Sequence, residues 1–512
     1  TEKISQKKRK SAKTALKIQF ALANVKILAN LTQPSYICIM DSFFIMGGKT
    51  LEGEVCIDAA KNSLLPIIAA CIMVKGEVLL KNVPRYSDVI AMCKILRHLG
   101  GKAYFLGDDS QNDFQVDTCE KTEIQPELDG VDASQTFETE LQKKFLSCSD
   151  ILRREDLYID CRRLSASDVP NELASCVRSS IFTLGPILGR QGVAKVSYPG
   201  GCDIGLRPID IHLSGVKQLG CKVVDKNGYI YADATGLKGE DVMLSFPSVG
   251  ATENIMMLAA LANGVTRIFN PAREPEIVDL QNFLNACGAD ITGAGSNMIL
   301  VKGVAELHGC SFQALSDRIE AGTLLIAGAM CGGEVVLKNA VAKHNGELIA
   351  KLSKTSCKIY HDNDKIVLKK QGQLQSFGEI ETAVYPGFPT DLQAQSVALA
   401  AVCNGYSLVV ETLFESRNKH IGELLKMGCD IRCKNGVCII HGKDKIYGAD
   451  VVAHDLRGGA AMVLAGLYAE GYTTVSGVEM IDRGYYRMEE KLCALGGDVK
   501  RIRCEKKVDY CN

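Results

Sequence analysis

At 512 residues the chain exceeds one ordinary hydrophobic core, which predicts two domains. Hydrophobic residues make up 46% and the net charge is −1, the balance of a soluble globular protein. No run reaches the ~18 uninterrupted apolar residues of a membrane span, because Lys75 and Gly76 break the best candidate, Leu64 to Leu80. Charge is nonetheless uneven. Residues 1–40 hold eight Lys or Arg and only Glu2, a net of +7, whereas 107–150 hold twelve Asp or Glu against three Lys, a net of −9. The basic character is thus a head and not a nucleic-acid surface spread over the fold. The 21 cysteines include no CxxC pair, no HExxH is present, and Cys429, Cys433 and Cys438 lie at irregular spacing, so no metal is expected. Many unpaired thiols suit a reducing cytosol, which makes the cytoplasm the expected location.

In chain order, residues 1–39 form a basic extension outside the fold, with Met40-Asp41 just before the first regular strand. From Gly47 the chain repeats itself. Each unit runs strand, polar turn, apolar helix, then a glycine and a second strand, as in GEVLLKNVP from Gly76, GVTRIFNPA from Gly264 and GEVVLKNAV from Gly333. A further helix then ends at a glycine-type stop followed by a β-hairpin. Stops at Gly288, Ser356, Gly428 and Gly496 give intervals of 68, 72 and 68 residues, while Gly100 and Gly220 lie 120 apart. Six βαβαββ-like units are therefore predicted in two groups of three, an α/β architecture. The excess in the first interval is the acidic stretch 107–150, read as an enlarged hairpin turn too poor in large apolar residues to offset the entropy of ordering it.

The segment of greatest chemical interest is Tyr198 to His212, YPGGCDIGLRPIDIH. Gly200, Gly201 and Gly205 predict a loop able to move, and it carries the thiol Cys202 and the guanidinium of Arg207. Such company suits an anionic substrate better than core filling. Lys61 and Asn62, in AAKN, open a helix, where backbone N–H groups and a lysine together suit an anion. Asp391, in FPTD, is read either as a functional carboxylate or as a helix N-cap before Leu392.

These motifs, with AREPEIVD from Ala272, HDLRGGA from His454 and IDRGY from Ile481, resemble one family pattern in order over residues 43–503, the acidic insertion excepted. The pattern is that of the enolpyruvyl transferases, specifically the UDP-N-acetylglucosamine 1-carboxyvinyltransferases of peptidoglycan synthesis. The resemblance implies a two-domain inside-out α/β barrel of six units. Its domains would be 61–315, and 41–60 with 316–503, followed by a tail at 504–512. It implies two small-molecule substrates, phosphoenolpyruvate and UDP-N-acetylglucosamine, with no cofactor. Cys202 matches the proton donor that also forms a phosphoenolpyruvate adduct and is the target of the epoxide fosfomycin. Asp391 matches the base near the sugar 3′-hydroxyl. Lys61, Asn62, Arg207, Arg457 and Arg483 match the phosphoenolpyruvate clamp, with Lys61 and Arg457 counted as catalytic. Arg178, Arg207, Pro208, Ile209, Asp210, Ile211, Ser248, Val249, Gly250, Asp391, Leu413 and Arg417 match the nucleotide-sugar site.

Two positions depart from the pattern: Ser87 and Phe246 stand where lysine is frequent in the family. Arg85 is expected to replace the missing charge at Ser87, since residues two apart on an extended segment share a side. Other readings are a 3-phosphoshikimate 1-carboxyvinyltransferase, which shares fold and clamp, and a non-catalytic paralogue that binds the UDP-sugar and regulates wall synthesis.

Overall fold

The computed structural model describes residues 36–107, 155–200, 205 and 208–508. The expectations for residues 1–35, for 108–150 of the acidic insertion, and for Gly201, Cys202 and Arg207 fall outside the described residues. The described residues from 43 to 501 form one compact unit. The first strand, Tyr36–Met46, starts inside the stretch expected to be extension.

Among the described residues there are six four-stranded sheets, one for each expected unit. Five of them share one plan. In one, Asp241–Met243 runs parallel to Val265–Phe269, which pairs antiparallel with Met298–Lys302, which in turn pairs with Asp290–Thr292. Burial alternates along Val265–Phe269, where Thr266 and Ile268 point inward and their neighbours outward. Against the inner faces lie six helices: Lys61–Ala70, Leu184–Gln191, Val249–Ala260, Arg318–Cys331, Gln393–Ala400 and Leu456–Tyr468. These are apolar almost all round, as a helix enclosed by other elements must be. In Arg318–Cys331 every residue but Cys331 is buried.

Two large hydrophobic cores result among the described residues, one from residues between Ala59 and Ala314, the other from 43–57 with 319–499. Each encloses three of the six helices, and the molecule is an inside-out α/β barrel. The chain passes between the cores twice, and each passage exchanges a strand. Gly53–Cys56 pairs with Glu334–Lys338, and Ser311–Phe312 pairs with Glu77–Leu80. The two passages bind each other: Ala60 N–H donates to Leu315 O (2.8 Å) and Asp317 N–H to Asp58 O (2.8 Å).

The expected helix stops all adopt left-handed backbone: Gly100, Gly220, Gly288, Gly428 and Gly496 have φ between 86° and 97°, and Ser356 has 69°. Glycine bears this without cost, whereas a Cβ costs about 1–2 kcal/mol there. Ser356→Gly should therefore stabilise the fold by about 0.5–1 kcal/mol after the entropy of the unfolded glycine is deducted. The check is a higher urea midpoint at unchanged slope.

The hairpin expected around the acidic insertion is present, with Ala103 opposite Ile159. The expectation of unpaired thiols needs one correction. Cys433 and Cys438 face each other across the hairpin that turns at Asn435 and Gly436, and they form a disulfide with Cα atoms 4.1 Å apart. Irregular spacing hid this, because what matters is cross-strand register. Among the described residues no group of His, Cys, Asp and Glu could hold a metal, and no helix is long and apolar enough to cross a membrane.

Candidate active site

The helix Lys61–Ala70 has no side-chain cap of its own; Lys61 N–H donates to Asp317 Oδ2 at 3.3 Å, from the second passage between the cores. This places Lys61 and Asn62 where both cores contribute. The Lys61 ammonium is buried and lies 2.7 Å from Asp88 Oδ2. Arg483 grips the same carboxylate from the other core, Nε to Oδ1 at 2.9 Å. Burial alone would raise the Asp88 pKa, but Lys61 and then Arg483 outweigh it, so the carboxyl titrates below its ordinary value. For Lys61 burial lowers the pKa; Asp88 opposes this, while Arg457 and Arg483 add to it.

A second cluster adjoins the first. Asp391 lies in the short turn Thr390–Leu392, and Leu392, not Asp391, precedes the following helix as its cap residue. The N-cap alternative is therefore not realised. Instead the carboxylate accepts from Arg417 Nη2 (2.7 Å), Arg457 Nη2 (3.1 Å) and Asn62 Nδ2 (3.3 Å). Burial would raise its pKa, yet the guanidiniums of Arg457 and Arg417 hold it well below the usual carboxylate range. Arg457 is the second residue of Leu456–Tyr468, whose cap Asp455 accepts from Arg457 N–H at 3.0 Å. Its guanidinium lies over the ring of Tyr485 at 5.2 Å. Arg457 Nη1 and Arg417 Nε are buried with no hydrogen-bond partner among the described residues. Buried, unpartnered donors on permanently charged groups are costly unless an anion meets them.

The nucleotide-sugar candidates fall into two sets. In the first core, Arg178 heads the turn Arg178–Thr183 and its Nη1 donates to Pro199 O at 3.3 Å. Asp210 and Ile211 begin the helix Asp210–Gln218, after exposed Pro208 and buried Ile209. Ser248 caps Val249–Ala260, its Oγ accepting from Ala251 N–H at 3.4 Å. A Cβ on Gly250 would come within 2.9 Å of Phe182 and 3.1 Å of His212, so these three elements converge there. In the second core, Leu413 N–H donates to Glu411 Oε1 at 2.8 Å, four residues before Arg417. Gly205, at φ 129°, presses so closely on Glu415 that a Cβ would lie 2.7 Å from Oε2, so chain of the first core meets the second set there.

Asp88 was missed by sequence reasoning. It sits in NVPRYSDV, from Asn82, and nothing local shows that it pairs with Arg483, 395 residues away. The buried pair of Arg318 Nε with Glu276 Oε1 (2.9 Å), which joins the cores, was missed for the same reason, although Glu276 lies in AREPEIVD. The compensation expected of Arg85 rests on a premise that fails. Ser87 is exposed and opens the helix Ser87–His98, so the two residues do not share an extended segment, and the Arg85 guanidinium lies 4.2 Å over the ring of Phe105. Phe246 is 45% exposed.

A family model described as EPSP synthase (3-phosphoshikimate 1-carboxyvinyltransferase) matches residues 45–129 and 118–492. UDP-N-acetylglucosamine 1-carboxyvinyltransferase 2 of Caldanaerobacter subterraneus subsp. tengcongensis is 43% identical over 463 residues, covering 90% of this chain and 100% of that protein. UDP-N-acetylglucosamine 1-carboxyvinyltransferase 1 of Carboxydothermus hydrogenoformans is 39% identical over 468 residues, 91% of this chain and 100% of that protein. Among solved structures, the enolpyruvyl transferase NikO from Streptomyces tendae superposes with a TM-score of 0.72 at 21% identity, covering 92% of this chain and 100% of that one. EPSP synthase from Acinetobacter baumannii gives 0.62 at 17%, covering 90% and 100%. The structural likenesses establish the fold, and the sequence identities discriminate within it. With both cores, both passages and the clustered cations within these matches, the chain belongs to the enolpyruvyl transferase family, in its UDP-N-acetylglucosamine 1-carboxyvinyltransferase branch.

Proposed function

We propose that this protein transfers the enolpyruvyl group of phosphoenolpyruvate to the 3′-hydroxyl of UDP-N-acetylglucosamine and releases phosphate, the first committed step of peptidoglycan synthesis in the cytoplasm. The observation that carries the reading is the buried cluster of Lys61, Arg457 and Arg483, with an unpartnered guanidinium donor on Arg457. Such a cluster fits a small, multiply charged anion that itself excludes water.

In this reading the two carboxylates occupy places that the substrate takes over. Asp88 holds Lys61 and Arg483, and Asp391 holds Arg457 and Arg417. Phosphoenolpyruvate draws Arg457 and Lys61 to its phosphate and carboxylate, with Arg207 and Asn62 completing the clamp. Asp391, relieved of one guanidinium, becomes a stronger base and takes the proton of the sugar 3′-hydroxyl. The oxygen bonds to C2 as Cys202 protonates C3. Loss of a proton from C3 and of phosphate from C2 then restores the double bond. A thiol of ordinary pKa, about 8.5, is mostly protonated at neutrality and suits donation. The nucleotide is assigned to the first-core set, Arg178, Pro208 to Ile211 and Ser248 to Gly250, with Leu413 and Arg417 opposite. Domains at 61–315, and at 41–60 with 316–503, would close on it; the two cores and the paired passages near Ala60 and Leu315 support that division.

Fosfomycin tests the loop assignment. Peptide mapping after treatment is expected to show Cys202 as the one modified residue among 21 cysteines, faster with the nucleotide sugar present. Equal labelling of several thiols, or none at Cys202, would remove the proton donor from the scheme.

A further inference from the structure

Cys287 and Cys310 are not used by the proposed reaction, and their sulfurs touch at 3.3 Å. Cys287 is fully buried at the end of the helix Pro275–Ala286. Cys310 is partly exposed, just before the strand Ser311–Phe312. Both backbones are fixed in this relation: His308 N–H donates to Cys287 O (2.8 Å) and Leu79 N–H to Cys310 O (3.0 Å). A disulfide requires the sulfurs to close by only about 1.2 Å, which side-chain rotation supplies. The remaining thiol nearby, Cys71, is committed to its own helix, its Sγ donating to Ile67 O at 3.3 Å.

We propose that Cys287 and Cys310 form a peroxide-reactive dithiol, a modification site at which a hydroperoxide joins the two sulfurs. The roles follow from solvent access. A thiolate is better hydrated at Cys310, so buried Cys287 keeps its proton and donates it in the sulfur–sulfur hydrogen bond. That bond lowers the Cys310 pKa against the opposing effect of burial, and it raises that of Cys287 together with burial. The Cys310 thiolate attacks a peroxide oxygen, the O–O bond breaks, and the departing oxygen takes a proton and leaves as water or alcohol. Cys310 is then a sulfenic acid. Cys287 sulfur attacks it, the S–O bond breaks, and hydroxide leaves with the Cys287 proton as water. The two thiols lose two electrons, and the peroxide gains them.

The test treats the full chain with one equivalent of hydrogen peroxide, blocks remaining thiols, digests without reductant and maps the peptides. The expected result is a Cys287–Cys310 cross-linked pair, two hydrogens lighter than its reduced components and separated by dithiothreitol. In Cys287→Ser a dimedone adduct should appear at Cys310; in Cys310→Ser, Cys287 should stay reduced. Absence of the wild-type cross-link while other thiols oxidise, or a Cys71–Cys310 link in its place, overturns the site. A dimedone adduct at Cys287 in Cys310→Ser overturns the assigned roles. The wild-type map needs no variant, so a misfolded substitution does not spare the proposal.

Discussion

Replacing Arg457 by alanine is expected to lower kcat/KM for phosphoenolpyruvate by about a hundredfold to ten-thousandfold. The arithmetic rests on two charge-assisted hydrogen bonds to the substrate at about 1.5–3 kcal/mol each, with about 1.4 kcal/mol per factor of ten. Arg457 Nη2 is engaged by Asp391, while Nη1 is buried with no partner among the described residues, so one guanidinium offers two donors to an incoming anion. Arg457→Lys keeps the charge without the planar fork and should recover only part of the loss. Steady-state kinetics check this. A variant that binds and turns over phosphoenolpyruvate within threefold of the parent would remove Arg457 from the clamp.

Asp391→Asn carries the second large effect, and it acts on both turnover and stability. Loss of a general base costs about a hundredfold to ten-thousandfold in kcat. The same change strips the counter-charge from Arg417 and Arg457, whose side chains are only 5% and 3% exposed. Breaking a buried pair on one side costs about 3–5 kcal/mol, and the 25% exposure of Asp391 places this case near the lower end. The pH sign follows from the depressed carboxyl. Its folded pKa lies below that of the unfolded chain, so its contribution is present above about pH 4 and is lost as pH falls through the folded value. Thermal melts of the parent between neutrality and strong acid should therefore fall more steeply than those of Asp391→Asn. Parallel profiles would show that the carboxylate is not held by its arginines in solution.

The repeat was legible because it is written in local chemistry. Left-handed backbone at each helix end demands glycine, and five of the six stops carry it, with Ser356 the exception that spacing exposed. The swapped strands were not legible, because Gly53–Cys56 reads as any short strand and its partner lies some 280 residues on. The site divides in the same way. Lys61, Asn62, Asp391, Arg457 and Arg483 stand in short motifs, and the fold brings them, with Arg417, into two adjoining clusters. Their counter-charges and geometry could not be read from the motifs. Asp88 looks like the first-turn carboxylate of an ordinary helix until Arg483 arrives from the far end of the chain. Arg85 failed as an inference because an extended segment was assumed where the chain turns into a helix at Ser87.

Phosphate release reads out the proposed reaction at its chemical step. Mixed with phosphoenolpyruvate and UDP-N-acetylglucosamine, the protein should release one phosphate per enolpyruvyl nucleotide formed, and none with either substrate alone. Shikimate 3-phosphate should not replace the nucleotide sugar. Release driven by shikimate 3-phosphate, or saturable binding of UDP-N-acetylglucosamine with no phosphate formed, would contradict the account.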